Sequence, residues 1–207
     1  LGVSLTDEER KAIDSNMDSS WNTSQDSIKQ LMSYGVTKEG VKQLYYEFNT
    51  KYTKIFQTLY GEGGEKAVSA EDKKAHLIEN YTDFAYFTKS VSSLSDDDKA
   101  AAKATLDGYA AAINDGSKTM EQVAEEYKTE NLSSDPLKTD VTNLDTNTQY
   151  AQSYSEMVAA LKEMNPGEAR VVETSSSYIL VVKNDINATA DEKLKEEELD
   201  FQVLVDL

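Results

Sequence analysis

The side chains that could carry chemistry are few. The 207 residues contain one histidine, His76, and no cysteine. These counts exclude zinc sites of the Cys or His kind and any thiol nucleophile. A Ser-His-Asp triad could draw only on His76, which stands beside Leu77 and Ile78 and reads as a helix-face residue. The run Gly61-Glu62-Gly63-Gly64-Glu65-Lys66 is glycine-rich and ends in lysine. A phosphate-binding loop needs another spacing and a strand before it. Here a helix precedes, and two glutamates would repel phosphate, so the run reads as a helix–helix connection. Asp96-Asp97-Asp98 lacks the spacing and glycine of a calcium loop and reads as the acidic first turn of a helix. No pair of carboxylates stands out for acid–base work, and no metal or cofactor is expected. Tyrosine is the unusual count, at 12 against 5 phenylalanines. Its broad apolar body and polar tip suit surfaces that grip varied chains. Tyr45, Tyr46 and Tyr52 share one helical segment, and Tyr46 falls off its main apolar face, which makes it the candidate for an exposed contact.

The elements that would position these residues follow from periodicity and caps. Acids outnumber bases 38 to 21, for a net charge of -17. That charge opposes phosphate backbones and anionic lipid heads, so nucleic acid is excluded as a natural partner. No apolar run approaches the ~18 residues of a membrane span. Thr6 with Glu9 is a capping box for a first helix carrying Ile13, Met17 and Trp21. Ile28, Leu31 and Met32 lie on a second, closed by Gly35. Thr37 opens the strongest segment, with Val41, Leu44, Tyr45, Phe48, Tyr52, Ile55, Phe56 and Leu59 on one face. Ser69 with Asp72 starts a helix ending near Tyr81. Residues 84–90 read as a strand. Ser95 caps an alanine-rich helix to about Asn114, and Thr119 with Gln122 caps a shorter one. Residues 132–147 are polar, contain Pro136, and read as a loop. Residues 154–164 read as a helix, 169–173 and 178–183 as two strands, and the tail from Ala190 as an acidic helix. An all-α part followed by an α+β part is the expected fold class.

The order of these segments resembles the bacterial foldase family typified by PrsA and SurA. Gly2-Val3-Ser4-Leu5-Thr6-Asp7-Glu8-Glu9, Tyr34-Gly35-Val36-Thr37-Lys38-Glu39 and Val68-Ser69-Ala70-Glu71-Asp72 are similar to the helix starts of its chaperone part. Ile113-Asn114-Asp115-Gly116, Met120 to Tyr127, Ala159 to Glu168 and Ser177 to Val182 are similar to segments of its parvulin-type prolyl isomerase part. The resemblance covers nearly the whole chain. It implies a helical SurA-N-like chaperone domain over 1–82, completed by 188–207, and a parvulin-like domain over 83–187. The final helix is then expected to return to the helical domain, with Leu194, Leu199 and Val203 against the helix of residues 41–59.

The departures from the family matter as much. Its two pocket histidines fall on Tyr86 (or Phe87, one residue off) and Ile179. Its Gly-Gly before the next strand is replaced by Lys138-Thr139. Its acid or cysteine after a serine is matched by Asp135, and its apolar pocket position by Met157. Prolyl isomerisation needs an apolar pocket and polar groups that favour the twisted amide, against a barrier of ~18–20 kcal/mol. With both histidines replaced, the resemblance implies a pocket that binds apolar chain and no longer catalyses well. Its substrate-binding residues are expected to be Tyr86, Phe87, Asp135, Met157, Tyr178 and Ile179. The implied function is a folding factor of a Gram-positive bacterium, working outside the cytoplasm on unfolded or partly folded secreted proteins. Membrane attachment is expected only through a lipidated anchor upstream of Leu1, and a homodimer is compatible with the resemblance. Two other readings stay open: an active parvulin-type isomerase, with Asp135 and the tyrosines in the histidines' polar role, and a non-catalytic scaffold or adhesion lipoprotein.

Overall fold

The computed structural model describes residues 2–23, 30–131 and 136–207. The chain is α+β, and it divides into two units, Leu1–Ala70 with Leu204–Leu207, and Glu71–Val203.

In the first unit, α1 spans Asp7–Thr23. Its capping box forms as the sequence dictates. The Glu9 N–H donates to Thr6 Oγ1 at 3.1 Å, and the Thr6 N–H donates back to the Glu9 carboxylate. That pairing and the Lys54 ammonium hold Glu9 below the usual carboxylate range. Ile13 and Met17 face the interior, as their spacing requires. After helical residues 30–33, a further helical run begins as α2 over Lys38–Val41, with Thr37 accepting from the Gly40 N–H. It widens into a π-helical turn over Lys42–Glu47 and continues as α3 over Phe48–Tyr60. A ladder of ion pairs joins the run antiparallel to α1: Glu9–Lys54, Arg10–Glu47, Asp14–Lys42 and Asp18–Lys38.

The π turn changes which side chains are covered. A wide turn rotates the residues around it relative to a regular helix. Tyr46, expected to be exposed, is half-buried and donates from its hydroxyl to Ser20 Oγ at 3.0 Å. Leu44, Tyr45, Phe48 and Tyr52, expected on the packed face, point to solvent.

The second unit begins with α4 (Ala70–Asn80) and β1 (Thr82–Ser90), followed by α5 (Asp96–Asn114) and α6 (Met120–Asn131). Ser95 and the Thr119–Gln122 pair cap α5 and α6 as expected. β2 (Lys138–Thr142) follows, within the segment that composition reads as a loop. It pairs with a neighbour on one side only, so a polar sequence with a single apolar residue, Val141, suffices. Then come α7 (Thr148–Ser153), α8 (Ser155–Glu163), β3 (Ala169–Glu173), β4 (Ser177–Lys183), α9 (Ile186–Lys193) and α10 (Glu197–Asp206).

The strands form one antiparallel sheet in the order β2-β1-β4-β3. Both faces of its centre are covered. Ala85, Phe87, Leu180 and Val182 pack with residues of α5 and α6. Phe84, Tyr86, Ile179 and Val181 pack with Met157, Val158 and Leu161 of α8. This is why Asp83 to Phe87 are all buried although alternate residues point to opposite faces. Two polar pins set the register of the layers. The Asn114 amide brackets the backbone of Ala169, donating to its carbonyl at 2.9 Å and accepting from its N–H at 2.7 Å. The Lys183 ammonium caps the end of α8 on the carbonyls of Leu161 and Met164.

The tail up to Val203 packs within this unit, and its last residues, Leu204–Leu207, belong to the first. Val203 and Ala190 are buried with Leu77 and Tyr81, and Leu194 and Leu199 pack against the same cluster. These are the partners of the three residues expected on the helix of residues 41–59. The tail is anchored by Asp83, the buried charged residue of β1, at 2% exposure. Its carboxylate accepts from Asn184 Nδ2 at 2.7 Å and from Thr189 Oγ1 at 2.8 Å.

Candidate functional site

Strand alternation decides which of the six candidate residues meet. Tyr86 and Ile179 stand on one face of the central strands and Met157 reaches them from α8, so these three share one cluster. Phe87 and Tyr178 stand on the opposite face, in the core built with α5 and α6. There the Phe87 ring lies 4.7 Å from that of Tyr127, whose hydroxyl burial pushes up in pKa. Asp135 lies outside the described residues. The candidates therefore divide between two faces of one sheet.

Tyr86, Met157 and Ile179 are 4%, 0% and 1% exposed. Around Tyr86 the described side chains are largely aromatic. Its ring is 5.6 Å from Tyr154 and 5.9 Å from Phe84, and Tyr150 sits 5.4 Å from Phe84 and 5.7 Å from Tyr154. Lys138 Nζ lies over the Tyr86 ring at 5.8 Å. Burial pushes the Tyr86 phenol up to about 12, with Tyr154 and the Asp140 charge acting in the same direction and Tyr150 opposing. Burial, then the hydrogen bond and charge of Asp140, hold the Tyr150 phenol far above its ordinary value. Both phenols are thus neutral at physiological pH. They can donate hydrogen bonds, but they supply no base and no charge for a reaction.

The carboxylate that meets these phenols is Asp140, which the sequence reading did not single out. It stands opposite Phe84 in the sheet register. Only recognition of residues 138–142 as a strand would have placed it two positions from Lys138 on the face of Tyr86.

The first unit carries a different kind of surface. Leu44 is 81% exposed, Tyr45 and Phe48 61% each, and Tyr52 46%. Phe48 stacks on Tyr52 at 6.4 Å, Tyr52 meets Phe56 at 5.8 Å, and Phe56 meets Tyr60 at 4.7 Å, so the rings form a ladder along α3. Leu44 and Tyr45 border a groove of about 480 Å³, with Val36 and Val41 on its other sides and Gly35 and Gly40 leaving it open. Gly35 adopts φ 81°, a conformation that glycine takes without strain. Leu31, Met32 and Tyr34, just before it, are also exposed.

No protein-family model matches the chain, and no curated protein matches it. Solved structures do. The chain is similar to PrsA from Bacillus subtilis, at 12% identity and a TM-score of 0.40, over 99% of this chain and 75% of that one. It is similar to the foldase protein PrsA from Streptococcus pneumoniae, at 15% identity and a TM-score of 0.42, over 95% of this chain and 68% of that one. Both likenesses are distant, below the level at which similarity carries activity or site residues across. No helix among the described residues is long and apolar enough to cross a membrane. PrsA proteins of two bacteria are thus among the structural neighbours of this chain, over nearly its whole length.

Proposed function

We propose that the chain is an extracytoplasmic folding factor. It holds unfolded or partly folded secreted polypeptides and does not isomerise their prolyl bonds. The observation that carries this reading is the exposed row Leu44, Tyr45, Phe48 and Tyr52 beside an open apolar groove. Scattered exposed apolar side chains are ordinary, but a contiguous row of large ones marks an interaction surface. Tyrosine and methionine suit it to varied partners. Burial of Tyr86, Met157 and Ile179, the residues at the expected pocket positions, supports the loss of isomerase activity. In this reading a lipid anchor holds the protein at the surface of a Gram-positive cell.

Two measurements test the proposal together. In the first, light scattering follows aggregation of a chemically unfolded secreted protein with and without the chain. Suppression by the wild type and its loss in Tyr45→Ser with Phe48→Ser is the expected result. In the second, NMR exchange spectroscopy follows an Ala-Xaa-Pro peptide, whose free isomers interchange over tens to hundreds of seconds. No exchange cross-peaks are expected. Cross-peaks would favour the active isomerase instead, with the Tyr86, Tyr150 and Asp140 cluster as its polar group. Absence of both effects would leave the scaffold reading.

A further inference from the structure

The sheet has an edge that the proposed function does not use. β2 is the terminal strand, and among the described residues no strand pairs with its outer side. The Val141 N–H donates to the carboxylate of its own neighbour, Asp140, at 2.8 Å. It is therefore turned away from β1. Strand periodicity makes Thr139 the other position whose backbone groups face outward. Outward N–H and C=O groups on a sheet edge are a template for another strand.

A groove of about 390 Å³ runs along this edge, between β2 and the segment from the end of α9 into α10. Its charged lining is Asp140, Glu196, Glu198 and Lys193, and Lys193 already pairs with Glu196 at 3.4 Å. The surrounding unit is strongly acidic. Residues 71–203 carry 27 acids against 13 bases, whereas residues 1–70 carry ten against eight. The charge of the chain is concentrated around this groove's unit and is nearly balanced in the unit that bears the apolar row.

We infer that the groove along β2 receives an extended, lysine- or arginine-bearing peptide segment that adds to the sheet as a fifth strand. The outward backbone of Thr139 and Val141 would supply the ladder. Asp140 would release the Val141 N–H to the incoming strand and turn its carboxylate to a cation. Five residues of β2 span about 17 Å, so a segment of about five residues matches it. The inference is independent of client holding by the first unit.

The experiment is an NMR titration of the ¹⁵N-labelled chain with two capped peptides, one alternating lysine and valine, the other glutamate and valine. The lysine peptide is expected to shift amides of residues 138–142 and 193–202, at roughly millimolar affinity or tighter, and to weaken as salt screens the charges. The glutamate peptide is expected to leave them in place. Thr139→Pro removes one outward donor at a position where an edge strand tolerates proline, and it is expected to weaken binding at least about tenfold. Glu196→Gln with Glu198→Gln leaves the backbone untouched and is expected to flatten the salt dependence, so the inference stays testable even if the proline variant fails to fold. Equal binding of both peptides, shifts confined to residues 44–52, or no shifts at all would overturn it.

Discussion

Replacing Asp83 with valine should unfold the second unit at markedly lower denaturant. Asp83 is 2% exposed and both carboxylate oxygens are used, one by Asn184 Nδ2 and one by Thr189 Oγ1. Valine has a similar volume and suits a strand, so little cavity forms and the polar loss dominates. Each hydrogen bond to a charged acceptor contributes about 1.5–3 kcal/mol, and the two donors left behind are half-buried, so water recovers only part of the loss. The sum is about 3–5 kcal/mol, a large part of the roughly 5–15 kcal/mol that holds a domain together. With a urea slope of roughly 1–3 kcal/mol/M, the midpoint should fall by about 2 M. Near-UV circular dichroism of the tyrosines Tyr86, Tyr109, Tyr127, Tyr150 and Tyr154 follows this unit, and the fluorescence of the lone tryptophan, Trp21, follows the first. Adding Asn184→Leu and Thr189→Val should recover much of the loss, because no unpaired donor then remains. A midpoint change worth less than about 1 kcal/mol in Asp83→Val would refute the reasoning. So would a triple variant no better than the single one.

Other outcomes follow from the same geometry. The fold favours the neutral Tyr86 phenol, whose pKa rises to about 12 against an unfolded value near 10. Its contribution is therefore complete below about pH 10 and is lost as pH rises through about 12, by up to a few kcal/mol. Tyr86→Phe should show a correspondingly shallower alkaline fall in melting temperature than the wild type. Leu199→Asp places a charge against the Leu77, Tyr81 and Val203 cluster and should lower stability by about 1–3 kcal/mol; an unchanged melting temperature would remove the tail from that core. Phe48→Ser alters a 61% exposed ring and should change urea stability by no more than about 0.5 kcal/mol while reducing suppression of client aggregation. A large stability loss would show that the ring packs in solution.

Much of the architecture was legible in the residues. The capping boxes at Thr6 and Thr119, the caps at Thr37 and Ser95 and the stop at Gly35 depend on atoms within four positions of one another, so short-range spacing reveals them. The apolar runs around Phe84 and Leu180 announced strands for the same reason. β2 was hidden because an edge strand has one partner and needs no apolar alternation. Asp140 was hidden with it, since its position opposite Phe84 exists only once the strands pair. The division of Tyr86 from Phe87 and of Ile179 from Tyr178 was implicit in the two-residue period. Knowing that both faces would be covered required the helices that pack on them.

Some features depended on contacts no local pattern encodes. Periodicity placed Leu44, Tyr45 and Phe48 on the packed side of their helix, but the π turn over Lys42–Glu47 and the ion pairs to α1 cover Tyr46 and Glu47 and leave those three exposed. Leu194, Leu199 and Val203 were recognisable as apolar tail positions, but their partners, Leu77 and Tyr81, lie more than a hundred residues away in the chain. Caps, periods and turns are local free energies, set by neighbours along the backbone. The face that is covered and the face that remains open are set by which distant segments pack, and that choice belongs to the folded chain as a whole.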